Sequence, residues 1–306
     1  MSGMRAVTIR QLHIFLSAAR HLSFSRASRE LHLSQPAVSM QIRQLEGSAG
    51  LPLFERSGKR LHLTQAGEEM QRHGQQIVAA LAAAEDGFAA LRGLRGGRLN
   101  IGVVSTAKYF APKLLATFSQ RHPLVEVKLA VNNRESILKQ LANNEIDLAI
   151  MGTPPQSLDA TAVAFAPHPL VVIAAPDHRH ASRRRLALRD LEQERFVVRE
   201  IGSGTRSAME RTFAAHRVKP QIGMEMSSNE TIKQAVMAGM GLAFISQHTI
   251  ALELASGVLK VLRVEGLPVM RQWCVVHRRE KVLPPAGEVF KAFILDEGRA
   301  LMKRIV

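Results

Sequence analysis

A short run of polar side chains between Ser34 and Arg43 has the chemistry needed to read the edges of DNA bases. Glutamine can pair bidentately with adenine and arginine with guanine, while alanine and methionine side chains can contact a thymine methyl group. On a helix that begins after Ser34, the outward-facing residues and the proline of the first turn form the predicted base-reading surface: Ser34, Gln35, Pro36, Ala37, Ser39, Met40 and Arg43.

Two short helices separated by a tight turn would position this surface. Ser34 can cap the second helix, and a proline at position 36 is tolerated in a first turn because its missing N–H would be unpaired there anyway. Apolar residues at helical spacing predict the buried faces of both helices, namely Phe24, Ala27 and Leu31 in the first and Val38, Ile42 and Leu45 in the second. An ordinary helical hairpin has the same pattern and is the alternative.

The segments on either side favour DNA binding. An amphipathic helix precedes the pair, with its apolar residues at Ile9, Leu12, Phe15, Leu16 and Ala19. A short hairpin follows from Leu53 to Leu63, with basic residues near its tip. Three helices and a basic hairpin predict an all-α winged helix-turn-helix domain that binds double-stranded DNA. The expected phosphate contacts are Arg26, Arg56, Lys59 and Arg60.

A long helix is predicted from Thr64, its N-cap, to about Leu94. Apolar residues recur along it with spacings of mostly four and three, beginning at Met70, which is typical of a coiled-coil seam. We therefore predict a homodimer interface at Ile77, Leu81, Ala84, Phe88 and Leu91, and the alternative is that the stripe packs on the chain's own domain. Glycines at 93, 96 and 97 would end the helix and act as a hinge.

From Arg98 onward, strand and helix patterns alternate, which predicts an α/β domain with a mostly parallel sheet. The segments "NNRESILKQLANNEIDLAIMG" and "SSNETIKQAVMAGMGLAFISQ" share one order of cap, helix, turn and buried strand, which favours two subdomains. The predicted boundaries are 1–65 for the winged domain, 66–97 for the linker helix and hinge, and 98–306 for a domain that binds a small molecule. Its first subdomain would hold about 98–165 and 268–306, and its second about 166–267.

Small polar residues fall where strands end and helices begin in this second domain. Free N–H groups and the positive end of the helix dipole favour anions at such positions. The candidate effector-binding residues are Ser105, Thr106, Asn132, Thr153, Ser203, Gly204 and Thr205, although each of them can equally be an ordinary cap or turn residue. Nearby arginines at 134, 199 and 206 can hold a phosphate or carboxylate, and surface charge is the alternative for each.

The composition limits the classes of partner and site. The 306 residues carry a formal net charge of +15, which favours a polyanionic partner, nucleic acid before an anionic membrane surface. The N-terminus has no hydrophobic signal core, no apolar run is long enough to span a membrane, and the single cysteine, Cys274, excludes an intrachain disulfide. We expect a cytoplasmic protein, a buried and inert Cys274 rather than a redox sensor, and no metal at His178 and His180. The run Arg183–Arg185 is expected to be a solvated loop, or else a contact to flanking DNA or a partner subunit.

No catalytic constellation is present in the sequence. It contains no GxSxG, HExxH or GxxxxGK[ST] pattern, and Gly202–Thr205 resembles part of a phosphate loop but lacks the lysine. We therefore expect neither an enzyme nor a bound cofactor. A solute-binding protein would share the two-subdomain cleft, but it would have no winged domain. A DNA-binding regulator that responds to a small, anionic metabolite accounts for all of these parts.

The chain resembles the LysR-type transcriptional regulators. The similar segments are "RQLHIFLSAARHLSFSRAS", "LHLSQPAVSMQIRQLE" and "LPLFERSGKRLHLTQAG", and the resemblance continues through the linker and the second domain. It implies a periplasmic-binding-protein-like effector domain, hydroxyl contacts to the effector at Ser105, Thr106, Thr153 and Thr205, and dimers that pair into tetramers. It also implies RNA polymerase as a partner and both activator and autorepressor roles.

Two further segments, "STAKYFAPKLLATF" and "SSNETIKQAVMAGMGLAFIS", resemble the CbbR subgroup that controls Calvin-cycle (RuBisCO) operons. This resemblance implies NADPH, ribulose bisphosphate or phosphoenolpyruvate as the effector. Regulation of another metabolic operon is the alternative.

Overall fold

The computed structural model describes residues 7–57, 60–91 and 96–303 and divides into two units, Met1–Phe88 and Ala89–Val306. Lys59 and Gly93 lie outside the described residues, and nothing is described for the side chain of Leu91. None of the helices within the described ranges is long and apolar enough to cross a membrane.

The first unit begins with three helices and a hairpin, as predicted. They are α1 (Ile9–His21), α2 (Phe24–Glu30), α3 (Gln35–Ala49), β1 (Phe54–Ser57) and β2 (Arg60–Leu63), with β1 and β2 antiparallel. Thr8, Ser23 and Ser34 cap the three helices with their side chains, and Gly50 ends α3 with a left-handed φ of 71°. Phe15, Ala27, Val38 and Leu45 are fully buried in the core. Ile9, predicted to be apolar and inward, is instead 38% exposed because it lies at the first position of α1.

Helix α4 (Gln65–Leu91) follows the hairpin directly. Its N-cap is Thr64, as predicted, whose Oγ1 accepts a hydrogen bond from the Gly67 N–H at 3.0 Å. A side chain at Gly67 would clash with the carbonyl oxygen of Leu53. Met70 is only 8% exposed and belongs to the core of the winged unit, so the expectation that it begins the dimer stripe is wrong. The first turns of α4 are used to complete that core.

The second unit alternates strands and helices. In chain order its elements are β3 (Gly97–Val104), α5 (Ala111–Arg121), β4 (Val125–Asn132), α6 (Arg134–Ala142), β5 (Leu148–Gly152), β6 (Ala160–Ala174), β7 (Arg195–Arg199), α7 (Gly204–Ala215), β8 (Gln221–Met226), α8 (Asn229–Met237), β9 (Ala243–Ser246), α9 (Ala251–Ala255), β10 (Lys260–Val261), β11 (Val269–Arg278) and α10 (Pro285–Lys303). Three 3₁₀ turns, at Ala107–Tyr109, Leu188–Leu191 and Gln247–Thr249, complete the described elements.

The main sheet is mixed, so the expectation of a mostly parallel sheet is wrong. Its strand order is β10-β6-β11-β5-β3-β4, and β9 also pairs with β6. Only the pairs of β3 with β4 and with β5 are parallel in this sheet, whereas β11 and β6 pair antiparallel with each other and with their other neighbours. Strands β7 and β8 form a separate parallel pair.

The long strands β6 and β11 run through two hydrophobic cores. Ala166 on β6 and Trp273 on β11 are buried in the core around β3 and β5, whereas Leu170 is buried in the core around β7 and α7. The two strands therefore connect two subdomains, one on each side of residues 167–169 and 270–272.

The repeated pattern seen in the sequence corresponds to real, similar structures. Asn133 caps α6, which leads to the buried strand β5, and Ser228 caps α8, which leads to the buried strand β9.

Candidate functional sites in the two units

The predicted base-reading surface forms the exposed N-terminal face of α3. The Ser34 hydroxyl accepts a hydrogen bond from the Ala37 N–H at 3.3 Å, which starts the helix. Gln35, Pro36 and Arg43 are exposed, and 52% of Met40 is exposed. The opposite face holds the helix in the core through the buried residues Val38, Ile42 and Leu45. The structure therefore presents this surface on a helix that packing fixes in place, and base contacts remain a prediction.

The predicted phosphate contacts are also free on the surface. Arg26 on α2, Arg56 on β1 and Arg60 on β2 are exposed, and none of them has a carboxylate partner within the described residues. Lys59 lies outside those residues. Exposed, unpaired guanidinium groups are suited to contact the phosphates of a DNA backbone.

A small polar network fixes α2 against α1. The Glu30 carboxylate accepts hydrogen bonds from the Ser17 hydroxyl at 2.8 Å and from Arg20 at 3.1 Å. The Ser17 hydrogen bond, His21 and Arg20 hold the pKa of Glu30 below its usual value despite partial burial. This network supports the helix that precedes the base-reading surface.

In the second unit a cavity lies between the two subdomains. Its lining comes from the end of β3, the starts of α6 and α7, and the crossing strands: Val104, Ser105, Thr106, Arg134, Gly152, His168, Arg199, Ser203, Gly204, Thr205 and Arg271. The cavity volume is about 20 Å³, enough for one or two water molecules at ~10–15 Å³ each. A metabolite can enter only if the subdomains or the lining side chains move.

Five of the seven predicted effector-binding residues meet at this cavity. Thr106 and Thr205 are each 5% exposed, and the Thr106 hydroxyl makes no capping hydrogen bond. Ser203 is a helix cap in addition, because its hydroxyl accepts from the Thr205 N–H at 3.3 Å. The Ser105 hydroxyl accepts from Arg199 at 3.0 Å, which joins the two subdomains. Gly204 lies directly against Arg134.

Asn132 and Thr153 do not line the cavity. The Asn132 side chain is directed to Gln140, 3.5 Å away, and its carbonyl oxygen accepts from the Ser105 N–H at 2.8 Å. Thr153 is exposed, and its carbonyl oxygen accepts from Arg134 at 3.2 Å. Both residues support neighbours of the cavity.

Two arginines give the cavity an uncompensated positive charge. Arg134 and Arg271 bond only to the carbonyl oxygens of Thr153 and Gly204, and within the described residues neither has a carboxylate partner. Burial lowers the pKa of Arg271, and the charges of Arg211 and Arg134 lower it further. Burial and Arg211 lower the pKa of Arg134 in the same way. Such a pair is suited to hold a phosphate or carboxylate.

The other two predicted arginines are ion-paired with glutamates. Arg199 is buried and pairs with Glu200, with its Nε 2.7 Å from Oε2, while it also donates to Asn229 and Ser105. Arg206 pairs with Glu210 at 2.5 Å on its own helix. Of the three arginines considered from the sequence, only Arg134 is therefore available to an anion.

His168 and Arg271 were missed by the sequence analysis. They lie on β6 and β11, directly opposite each other in the antiparallel register. Neither follows a strand end or a glycine-rich turn, so no local pattern marks them. Only the pairing of two strands about one hundred residues apart brings them to the cavity.

A carboxylate lies beside the two histidines at which no metal is expected. Glu194 lies 3.5 Å from His178 and 2.8 Å from His180. No group of three or more His, Cys, Asp or Glu side chains suited to a metal ion occurs in the described part of the chain. Cys274 is buried on β11, as predicted, and burial raises the pKa of its thiol.

Comparisons with known proteins match each of the two units to a family model. Residues 9–68 match the family model described as "Bacterial regulatory helix-turn-helix protein, lysR family", and residues 92–299 match "LysR substrate binding domain". The winged unit with its exposed α3 and the two-subdomain unit with its cleft define a ligand-responsive transcriptional regulator. The chain belongs to the LysR family of transcriptional regulators.

The relatives it resembles include regulators of carbon fixation. The chain is 53% identical to the HTH-type transcriptional regulator CbbR of Rhodospirillum rubrum, over 95% of this chain and 97% of that one. It is 49% identical to a RuBisCO operon transcriptional regulator of Allochromatium vinosum, over 98% and 99%. The predicted resemblance to the CbbR subgroup is confirmed.

Among solved structures, the second unit is similar to the regulatory domain of Synechocystis CcmR in complex with 2-PG. The identity is 40%, the TM-score is 0.63, and the match covers 65% of this chain and 96% of that one. The chain thus has the DNA-binding and effector-binding parts of its family.

Proposed function

We propose that the chain regulates Calvin-cycle (RuBisCO) genes. A small phosphorylated carboxylate, bound between its subdomains, would control its binding to promoter DNA. The observation that supports the effector class is the pair of guanidinium groups of Arg134 and Arg271, which line the cavity without a carboxylate partner. Desolvated positive charge in a cavity is costly unless an anion compensates it. The similarity to CbbR and to a RuBisCO operon regulator supports the proposed target genes.

The size of the cavity favours a compact effector. We propose 2-phosphoglycolate first, because the related CcmR domain binds 2-PG. Phosphoenolpyruvate is the next candidate, since it also combines a phosphate with a carboxylate. Ribulose bisphosphate and NADPH, expected from the sequence, need progressively wider opening of a cavity of about 20 Å³.

The proposed contacts follow from the surroundings of each residue. Ser105, Thr106 and Thr205 would donate hydroxyl hydrogen bonds to the anion, and Ser203 and Gly204 would form the wall at the start of α7. Asn132 and Thr153 would act by positioning Ser105 and Arg134.

In the winged unit we propose that Gln35, Ser39 and Arg43 contact base edges and that Ala37 and Met40 meet thymine methyl groups. Ser34 and Pro36 would set the start of the helix. Arg26, Arg56, Lys59 and Arg60 would contact phosphates, so that affinity depends steeply on salt. A cytoplasmic location, where the DNA lies, is part of this proposal.

The working assembly is proposed to be a homodimer through α4, with tetramers formed by pairing of dimers. Ile77, Leu81 and Phe88 are 46%, 42% and 63% exposed, and Ala84 is exposed too, so the described part of the stripe faces away from its own core. Leu91 would continue it. The proposed boundaries of winged domain, linker and effector domain are 1–65, 66–97 and 98–306.

We propose that effector binding changes the spacing of the winged domains through the glycine hinge, and thereby contact with RNA polymerase. Gly97 has a φ of 148° and pairs with Val125 at the start of β3, and a side chain at Gly96 would lie 2.8 Å from the carbonyl oxygen of Leu124. Both positions therefore require glycine for close packing at the edge of the effector unit, and hinge motion about them is part of the proposal. The effector can shift this equilibrium only by its differential affinity for the two arrangements.

DNase footprinting tests the proposal on the chain's own upstream region and on a RuBisCO promoter, with and without each of 2-phosphoglycolate, phosphoenolpyruvate, ribulose bisphosphate and NADPH. We expect specific protection whose length or bending changes with the metabolite. Specific protection that none of the four candidate metabolites alters would contradict the effector assignment. Absence of specific protection on both DNAs would contradict the choice of target genes.

A further inference from the structure

A buried histidine shares the cavity with the two arginines. His168 is 3% exposed, lines the cavity, and lies opposite Arg271 in the register of β6 and β11. Directly opposed residues of an antiparallel pair project to the same face of the sheet. The two side chains therefore reach the cleft from the point where the strands pass between the subdomains.

One nitrogen of the His168 ring has a hydrogen-bond partner and the other has none within the described residues. Its Nε2 lies 3.0 Å from the Ser246 hydroxyl, and its face stacks on the Trp273 indole at 3.8 Å between centroids and 16° between planes. Its Nδ1 is buried and has no hydrogen-bond partner. A buried polar atom without a partner costs free energy, and such atoms in native proteins usually have a functional or solvent explanation.

The surroundings fix the charge of the ring. Burial holds the pKa of His168 well below its usual value, and the nearby charge of Arg271 and the neighbouring His248 lower it further. The imidazole is therefore neutral at neutral pH, with one N–H. When the Ser246 hydroxyl donates to Nε2, the proton is placed on Nδ1, because the bond at one ring nitrogen sets the tautomer.

We propose that His168 determines which anion the cleft accepts, by donating a hydrogen bond from Nδ1–H to an oxygen of the ligand that Arg134 and Arg271 hold. This inference rests on the proposed effector class. The Nδ1–H of His168 would add a neutral hydrogen-bond donor of fixed direction to the charges of Arg134 and Arg271, which act over longer distances. The site would thereby favour ligands that offer an acceptor oxygen beside His168 over ligands of equal charge that do not.

Two isosteric variants of the full chain separate the proposed contact from simple packing. Asparagine places its amide near the position of Nδ1, whereas glutamine places its amide near Nε2 and keeps the contact to Ser246. Calorimetric titration with 2-phosphoglycolate should show an affinity for His168→Gln that is about 10- to 100-fold weaker than wild type, as for a lost hydrogen bond to a charged group. His168→Asn should stay within a few-fold of wild type.

The matched control is His248→Gln. The His248 ring is 6.2 Å from the His168 ring and is not part of the cavity lining, so the His248→Gln variant should bind 2-phosphoglycolate with the affinity of the wild-type chain.

Tryptophan fluorescence gives a second readout. Trp273 is the only tryptophan of the chain, and its emission should change when 2-phosphoglycolate binds to the wild-type chain.

Other outcomes would overturn the inference. If glutamine is tolerated better than asparagine, or if both weaken binding equally, His168 serves packing and not recognition. Should either variant fail to fold, Ser246→Ala replaces it, since loss of the Nε2 partner should weaken binding a few-fold and unchanged affinity contradicts the assigned tautomer. A wild-type chain that binds none of 2-phosphoglycolate, phosphoenolpyruvate and ribulose bisphosphate would overturn the proposed function as well, which no result on the variants alone would do.

Discussion

Single side chains on α3 and on the hairpin have different expected effects on DNA binding. Gln35 is proposed to read a base from the exposed start of α3, whereas Arg60, at the first position of β2, is proposed to contact a phosphate. Replacing Gln35 with alanine should cost about 1–3 kcal/mol on the operator and little on unrelated DNA. Replacing Arg60 with alanine should weaken binding to both DNAs similarly and reduce the salt slope by about one unit.

Fluorescence anisotropy on an operator duplex and a scrambled duplex, each over a range of salt concentrations, checks this prediction. Arg279→Ala is a suitable control, because Arg279 is an exposed arginine of the effector unit that pairs with Asp159 at 2.7 Å. Equal losses on both duplexes for Gln35→Ala would remove it from base recognition.

At this scale the sequence predicts residues that follow a local rule. Ser203 and Thr205 were found because hydroxyl residues at helix starts are recognisable, and the structure brings them to the cavity. His168 and Arg271 follow no local rule, because they lie in the middle of strands and reach the cavity through long-range pairing. The ion pair of Arg199 was equally hidden, since its contact with Glu200 depends on the geometry of the site.

Among the elements, helices and their caps were predictable and the sheet was not. Each winged-unit helix begins at a capping Ser or Thr whose hydroxyl accepts a backbone N–H. Alternation of strands and helices predicts parallel pairing, and this holds for β3, β4 and β5. It fails for β6 and β11, because these strands serve as the connections between subdomains and pair antiparallel with each other.

Helix α4 carries its own prediction, because its two ends have different surroundings. Met70 is buried in the winged unit, whereas Leu81 and Phe88 lie exposed on the helix. Replacing both of these with glutamate should leave the winged unit folded and weaken dimers at least about 100-fold, or about 3 kcal/mol, because charges would be buried without partners in the interface. Sedimentation velocity measures the change in mass.

Leu252→Glu with Val282→Glu provides the matched control. Both of these residues are 81% exposed apolar side chains of the effector unit and lie outside the stripe. This variant should sediment like wild type. If the α4 variant also keeps the wild-type mass, the assembly does not depend on the stripe.

Over the whole molecule, we expect the residues that bind the effector to lower the stability of the effector-free fold. A formal net charge of +15 suits a DNA-binding protein, and three arginines also lie close together in the effector unit. Arg271 is desolvated beside Arg134 and Arg211, and its lowered pKa means that folding disfavours its charged form. Bound anion would remove this penalty, so the effector should stabilise the fold through the same residue that destabilises it when the cleft is empty.

Replacing Arg271 with methionine should therefore have two opposite effects on thermal unfolding. Without effector the midpoint should rise, by ~2–4 °C for each kcal/mol of relieved desolvation and repulsion. With 2-phosphoglycolate at 100 times the wild-type dissociation constant, the wild-type chain should gain about 2.7 kcal/mol, and the variant should gain almost none. Scanning calorimetry with Arg279→Met as the ion-paired surface control measures both effects. A variant that loses stability without effector would show that Arg271 serves mainly to hold the Gly204 carbonyl, and a variant that keeps the full ligand shift would show that the anion binds elsewhere.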